Sequence, residues 1–262
     1  MALSTSSNQK IKNLLVKTVK DKLIEYQRET NYMPFHTKLF GEGRSSIFSM
    51  YSFIQSMNTT FGMSIWEQIA VILAIDSGYH AERQYKLFGE IDDVTEKNIR
   101  IIMYKYQIEK LAVDKNIEIE SIRSTIKNGL QKPDPNSTVD LFIIKDGVEN
   151  YFDITSVKPN MKEFNAMKIK LLRWTALRLS QNKNINIFTR LAIPYNPYYP
   201  GPYNRWTLKG LYDLNKGEIL IQQEFWNFVA GKDVYDDLLN TFEDAGEILK
   251  NDLDDYFIKF NM

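Results

Sequence analysis

The chain has 262 residues, with 33 Lys+Arg balanced by 33 Asp+Glu and two His. A hydrophobic share of 44%, of which aromatics make 13% of the chain, supplies a sizeable core and excludes wholesale disorder. Zero Cys excludes disulfides, thiolate zinc sites and cysteine nucleophiles, and fits a reducing compartment.

The first ten residues carry no apolar stretch of the signal-peptide kind. The longest apolar run, Ile69 to Ile75, falls far short of the ~20 residues of a membrane span. A cytoplasmic globular protein with no membrane partner is the expectation. Net neutrality conceals an uneven charge distribution. Between Asn160 and Arg205 eight basic residues face a single acid, Glu163. Between Asp236 and Phe257 eight acids face Lys250 alone. A basic segment in a neutral protein attracts a polyanion locally, unless folding interleaves the charges and cancels the field.

In chain order, residues 9–30 read as an amphipathic helix, with Ile11, Leu14, Leu15, Val19 and Leu23 at helical spacing. A looser stretch follows around Pro34, broken by Gly41 and Gly43. Ser45 to Met57 is helical in period, with Ile47, Phe48, Tyr51 and Ile54 on one side. Residues 62–75 read as a buried helix in which Ser64 and Glu67 have capping-box spacing. Glu67 is otherwise out of place among apolar residues, so it either caps that helix or meets a partner or a cation. Residues 94–128 read as two helices.

A turn cluster at residues 132–138 precedes a strand at 139–144, and Asp146-Gly147 is a strong hairpin signal. The second strand runs over 148–157 and is closed by Pro159. Phe164 to Leu179 is a basic helix with Leu171, Leu172, Ala176 and Leu179 inward, and Asn186 to Ile193 is a further strand. The Tyr- and Pro-rich loop 194–203 precedes two strand pieces, and Phe225 to Phe228 opens a C-terminal helical section.

Pairing the hairpin outward from its turn sets Lys145 opposite Val148, Ile143 opposite Asn150, Leu141 opposite Phe152 and Asp140 opposite Asp153. Opposed residues bring their Cβ atoms to ~4.5–5.5 Å, where two carboxylates repel. Either a hard cation such as Mg²⁺ lies between them, or they splay into water at the hairpin end. Lys158 adds an amine that can assist a metal-bound water or a phosphoryl group. Strand alternation points it away from Asp153, so a bulge or the break at Pro159 must turn it back.

Asp140, Asp153 and Lys158 on a hairpin followed by a basic helix resemble the PD-(D/E)xK nuclease superfamily. More closely, the chain resembles type II restriction endonucleases of the branch that cuts GGNCC-type sites. The likeness lies in Thr60 to Ile69, in Val139-Asp140 with Phe152 to Pro159, and in Trp206 to Leu214 with Glu224 to Gly231. It departs from the superfamily pattern at Thr155, where the lysine two residues after the second carboxylate belongs. Either Lys158 is the catalytic lysine with a displaced carboxylate, the preferred reading, or Thr155 occupies a degenerate lysine position. Pro133-Asp134 is a literal PD pair placed in the turn cluster, and Asp140 is the better match.

The resemblance implies an α/β (α+β) restriction-endonuclease-like fold, a central mixed sheet flanked by helices with extra helical segments at both ends. The expected organisation is one endonuclease domain over 1–262. Within it lie a helical region (1–58), a catalytic and DNA-recognition core (59–231) and an acidic helical C-terminus (232–262). It implies Mg²⁺-dependent hydrolysis of double-stranded DNA at a short palindrome, with Mn²⁺ able to substitute. Asp140 and Asp153 are the metal ligands, with Lys158 and Glu67 beside them. Arg173, Arg178, Asn204, Arg205 and Lys209 are the DNA-contact candidates, for bases or for phosphates. A homodimer and a cognate DNA methyltransferase are the implied partners, and the acidic C-terminal helices serve either the dimer contact or solubility. A structure-specific repair or recombination nuclease and a non-catalytic DNA-binding protein are the competing readings.

Overall fold

A computed structural model describes residues 3–26, 34–40, 45–127, 133–155, 157–205, 208 and 210–258. Among these, five strands form one sheet in the order of the chain: β1 (His80–Phe88), β2 (Pro133–Lys145), β3 (Val148–Ile154), β4 (Ile187–Ile193) and β5 (Ile219–Ile221). The first three pair antiparallel, and β4 and β5 are added in parallel. The helices are α1 (Thr5–Tyr26), α2 (Pro34–Phe40), α3 (Ser45–Thr60), α4 (Trp66–Asp76), α5 (Asp93–Gln107), α6 (Lys115–Thr125), α7 (Met161–Gln181), α8 (Gln223–Ala230) and α9 (Tyr235–Ile258). This is the mixed, helix-flanked sheet of the restriction-endonuclease-like architecture expected from the sequence.

The hairpin forms as its turn residues require. Asp146 and Gly147 both have positive φ, 51° and 75°, the combination a tight two-residue turn needs. Lys145 pairs with Val148, Ile143 with Asn150 and Leu141 with Phe152. The ladder ends at that last pair, one step before Asp140 and Asp153. The parallel step from β3 to β4 needs a crossover, and α7 supplies it. Asn160 caps α7 by accepting from the Glu163 amide, while Glu163 accepts from the Asn160 amide.

The chain divides into two compact units, Leu73–Asp233 and Met1–Ile72 with Val234–Met262. In the first of these, α7 carries Phe164, Leu171, Leu172, Trp174 and Ala176 into a core shared with Phe142 and Tyr151 of the sheet. Tyr85, Phe142 and Tyr151 stack across three strands, with centroids 4.4 and 4.9 Å apart. Strand alternation sends Phe152 to the opposite face, where it meets Phe225 and Phe228 of α8. In the other unit α1 packs on α9, burying Ile11 and Leu15. Lys12 and Lys20 of α1 pair with Asp244 and Asp252 of α9 at 2.9 and 3.0 Å.

Several local expectations are corrected. Pro34 opens the short helix α2 rather than a loop, a position where its missing N–H costs nothing. On α3 it is Phe53 and Met57 that are buried, against Leu23 and Tyr256, while Tyr51 and Ile54 stay exposed. No helix begins at Ser64. Residues Phe61–Ile65 form a π-helical turn joining α3 to α4, with the Trp66 amide bonded to the Phe61 carbonyl. The Ser64–Glu67 capping box therefore does not exist, because the amides it would serve are already inside a helix. Residues 133–138 belong to β2, where Pro133 and Thr138 pair with Phe88 and Lys86 across a register shift. After the 194–203 loop the described residues hold one strand, β5, rather than two.

Candidate active site

Asp140 and Asp153 both lie on the sheet face of Phe142 and Tyr151, by alternation with Leu141 and Phe152. That face is the one α7 covers. Beyond the last ladder pair the Asp140 carboxylate takes over as acceptor: its Oδ2 receives the Ile154 amide at 2.7 Å. One carboxylate is thus tied to the residue directly after the other. Asp153 is buried, and its Oδ1 receives the Lys170 ammonium of α7 at 2.6 Å. Lys170 also sits 4.8 Å from the centroid of the buried Trp174 ring.

Lys158 takes a different course. Strand β3 stops at Ile154, and the Thr155 amide bonds to the Ala192 carbonyl at 3.0 Å as the chain turns away. Lys158 is exposed, with its Nζ 5.3 Å from the Tyr198 ring centroid. Arg205 Nη1 donates to the hydroxyl of that same Tyr198 at 3.3 Å, and the Tyr203 hydroxyl donates to the Val157 carbonyl at 2.8 Å. The sequence-predicted amine therefore lies with the Tyr-rich loop, while Lys170, which sequence reasoning did not single out, touches Asp153.

Beside Lys170 opens a cleft of about 460 Å³, lined by Asp134 and Thr138 of β2 and by Ala166, Ile169, Lys170 and Arg173 of α7. Thr138 is on the same strand face as Asp140, and Lys170 links the cleft to Asp153.

Folding interleaves much of the basic segment with acids. Arg178 binds both oxygens of Glu149, at 2.7 and 2.9 Å, and Tyr151 donates to the same carboxylate at 2.6 Å. Burial pushes the Glu149 carboxyl up, but Arg178 and Tyr151 outweigh it and hold the group below the usual carboxylate range. Arg173 pairs with Glu96 and, at 3.0 Å, with Asp134. Lys168 is fully buried between Glu118 and Glu218, and Lys115 completes this four-membered ionic cluster through Glu218 at 2.7 Å. Arg205 stands at the Tyr-rich loop with the exposed Asn204. Lys209 lies outside the described residues. Glu67 is buried at 2% exposure in the other compact unit.

Two carboxylates and an amine at the end of a hairpin ladder, on a mixed sheet with one crossover helix, can bind a hard cation and act on a phosphate. Among the described residues no cluster of three or more His, Cys, Asp or Glu forms a ready metal cage. No helix among them is long and apolar enough to cross a membrane.

Comparison with known proteins gives the family. The profile of the family described as type II restriction endonuclease, HinfI, matches residues 3–246. The type II restriction enzyme HgiEI of Herpetosiphon aurantiacus is 26% identical, over 94% of this chain and 95% of its own length. HgiCII of the same organism is also 26% identical, over 81% of this chain and 77% of its own. HgiBI is 23% identical, over 94% and 95%. No solved structure matches the chain. The chain belongs to the HinfI family of type II restriction endonucleases, site-specific deoxyribonucleases that act on DNA.

Proposed function

We propose that the protein cuts both strands of double-stranded DNA at a short GGNCC-type palindrome in a Mg²⁺-dependent reaction of the PD-(D/E)xK kind. The observation that carries this reading is the convergence of Asp140 on the amide following Asp153, with a cation already on Asp153. The GGNCC assignment rests on the three ordered sequence segments that resemble that branch.

The donor set suits a hard divalent ion, because both carboxylates offer oxygen ligands and Asp153 Oδ1 already accepts a positive charge. Asp140 and Asp153 would hold the ion, which when bound supplies an acidified water and charge stabilisation at the scissile phosphate. Asp140 keeps its orientation through the Ile154 amide. Asp153 is buried and takes Lys170 of α7 at Oδ1. The expectation for Glu67 rests on its burial in an apolar helix.

For sequence reading, Asn204 and Arg205 are the stronger candidates, because they accompany an exposed aromatic loop. Arg173 and Arg178 donate to protein carboxylates, so their reach to DNA requires exchanging those partners. A palindromic target read by a protein of this size calls for a two-fold dimer, each protomer cutting one strand. A methyltransferase that marks the same site is the functional partner such a nuclease needs in its own cell, and the cytoplasm is where both meet DNA.

Incubating the purified protein with Mg²⁺ and unmethylated phage DNA, then sequencing fragment ends, tests the reading. Discrete fragments sharing one palindrome at their ends are expected, and Asp140→Ala abolishes them while DNA binding persists. A sequence-independent smear, or full cutting by Asp140→Ala, rejects it.

A further inference from the structure

We infer that Lys170 of α7, and not Lys158, supplies the amine that acts beside Asp140 and Asp153 when the phosphodiester is cut. This rests on the assignment of those two acids as the reaction centre.

Three observations converge on Lys170. Its Nζ is 2.6 Å from Asp153 Oδ1, and its side chain, 34% exposed, also lines the cleft next to the acids. An ammonium has three donors, and among the described residues Lys170 spends one of them, on Asp153. The other two remain for a phosphoryl oxygen or the attacking water. Other cations of α7 are committed differently: Arg173, which also lines the cleft, pairs with Glu96 and Asp134, Arg178 is held two-pronged by Glu149, and Lys168 is sealed in its ionic cluster.

The second observation is how Lys170 is placed. Eight residues of helix rise about 12 Å and four residues of strand about 13 Å. Arg178 and Lys170 are eight apart on α7, and Glu149 and Asp153 are four apart on β3. The Arg178–Glu149 pair therefore fixes a register in which Lys170 must arrive at Asp153. Trp174, fully buried one turn along, lies beside the ammonium with its ring centroid 4.8 Å from Nζ.

The third is the fate of the alternatives. Thr155 has no amine, and its amide is bonded to β4. Lys158 lies past the end of β3, on the Tyr198 ring. An ammonium over an exposed aromatic ring in a loop is suited to the nucleic-acid surface rather than to the bond being broken.

The chemistry asked of Lys170 is charge stabilisation. In water attack on the phosphorus, the nucleophile's proton leaves to solvent and the bridging oxygen departs with the bonding pair. Negative charge accumulates on the phosphoryl oxygens in between, and a fixed ammonium there lowers the barrier.

The test uses the full chain on a DNA fragment carrying one mapped cleavage site. Lys170→Ala is expected to slow single-turnover cleavage by about 10²–10⁴-fold. Its Mn²⁺ affinity without DNA, measured by calorimetry, should stay equal or tighten, because a competing cation has left Asp153. Lys158→Ala should raise the enzyme concentration needed for half-maximal cutting, and at saturating enzyme it should lose much less of the single-turnover rate than Lys170→Ala, since it touches neither acid. The absence of native Cys makes Lys170→Cys a single-thiol protein. Alkylation with 2-bromoethylamine rebuilds an amine of nearly lysine length, and 2-bromoethanol gives the same length without charge. Recovery with the amine alone supports the inference even if Lys170→Ala folds poorly. Equal recovery with both reagents, no recovery with either, or loss of cutting in Lys158→Ala with retention in Lys170→Ala overturns it. Cutting by Asp140→Ala at the wild-type rate is a separate failure, since it removes the reaction centre itself.

Discussion

Arg178 grips Glu149 with two parallel donors, Nε and Nη2 reaching separate carboxylate oxygens at 2.7 and 2.9 Å. Both side chains are largely shielded, at 17% and 12% exposure, and the pair joins the crossover helix to the strand that carries Asp153. Bidentate geometry matters here, because a single point charge fixes distance but not the angle of α7.

Replacing Arg178 by Ala leaves the shielded Glu149 charge with only the Tyr151 hydroxyl as partner, a cost of about 3 kcal/mol for a mostly buried pair. Arg178→Lys restores charge without the fork and should recover part of the stability. Cleavage in Arg178→Lys should fall further than DNA binding, because the helix that delivers Lys170 is no longer held in angle. Urea denaturation and single-turnover assays together check this.

The cluster of Lys115, Lys168, Glu118 and Glu218 is a second stake. All four side chains are at 0–1% exposure. Removing one member strands a charge in the core, so Lys168→Met should cost about 3–5 kcal/mol. Lys168→Met combined with Glu118→Gln should cost less than the sum of the two single changes, since each single change leaves a charge that the other removes. Thermal unfolding of the three variants measures the coupling.

The same cluster sets the pH range of stability. Burial pushes the Glu218 carboxyl up, yet Lys115 and Lys168 pull it down by more, and it ends below its usual value. A lowered carboxyl contributes stability above its unfolded value of about 4.3, lost as the pH drops through the folded one. Burial pulls the Lys115 ammonium down, yet Glu218 and Glu118 raise it by more. A raised lysine contributes stability that is full below about 10.4 and lost as the pH rises through the folded value. Glu149 adds to the acid side. The urea midpoint, followed by tryptophan fluorescence, should be level between about pH 5 and 10 and fall on both flanks. A steep change between pH 6 and 9 would contradict this account.

Lys158 and Arg205 both reach Tyr198, the first at its ring and the second at its hydroxyl. Lys158→Ala should weaken DNA binding and reduce the slope of log affinity against log salt by about 1, the signature of one lost phosphate contact. Tyr198→Ala should weaken binding with the slope unchanged, because it removes stacking and not charge. Binding titrations at several salt concentrations separate the two.

How much of this was legible in the sequence depends on the range of the signal. Asp146-Gly147 specified the hairpin and its register, since turn type and pairing are local. Leu171, Leu172, Ala176 and Leu179 marked the buried stripe of α7 for the same reason. Strand β1 left no such trace, because Glu82, Arg83 and Lys86 on an edge strand look like loop. The end of β3 was misjudged since Thr155, Ser156 and Val157 have strand propensity, while the departure of the chain is dictated by β4 and Pro159. Lys170 was passed over because its partner is on another element. The eight-against-four spacing of Arg178 and Lys170 on Glu149 and Asp153 would have exposed it, once α7 was laid antiparallel on β3.

The pairing of α1 with α9 also bears on biosynthesis. Ile11, Leu15 and the Asn8–Thr241 hydrogen bond all await a helix that leaves the ribosome after the whole sheet. Strands β1 to β5 and the helices between them can settle as they emerge, and Leu23 of α1 can meet Phe53 and Met57 of α3, whereas Ile11 and Leu15 wait until α9 has left the ribosome. The unit that joins α1 to α9 is therefore completed after the sheet unit that carries Asp140 and Asp153.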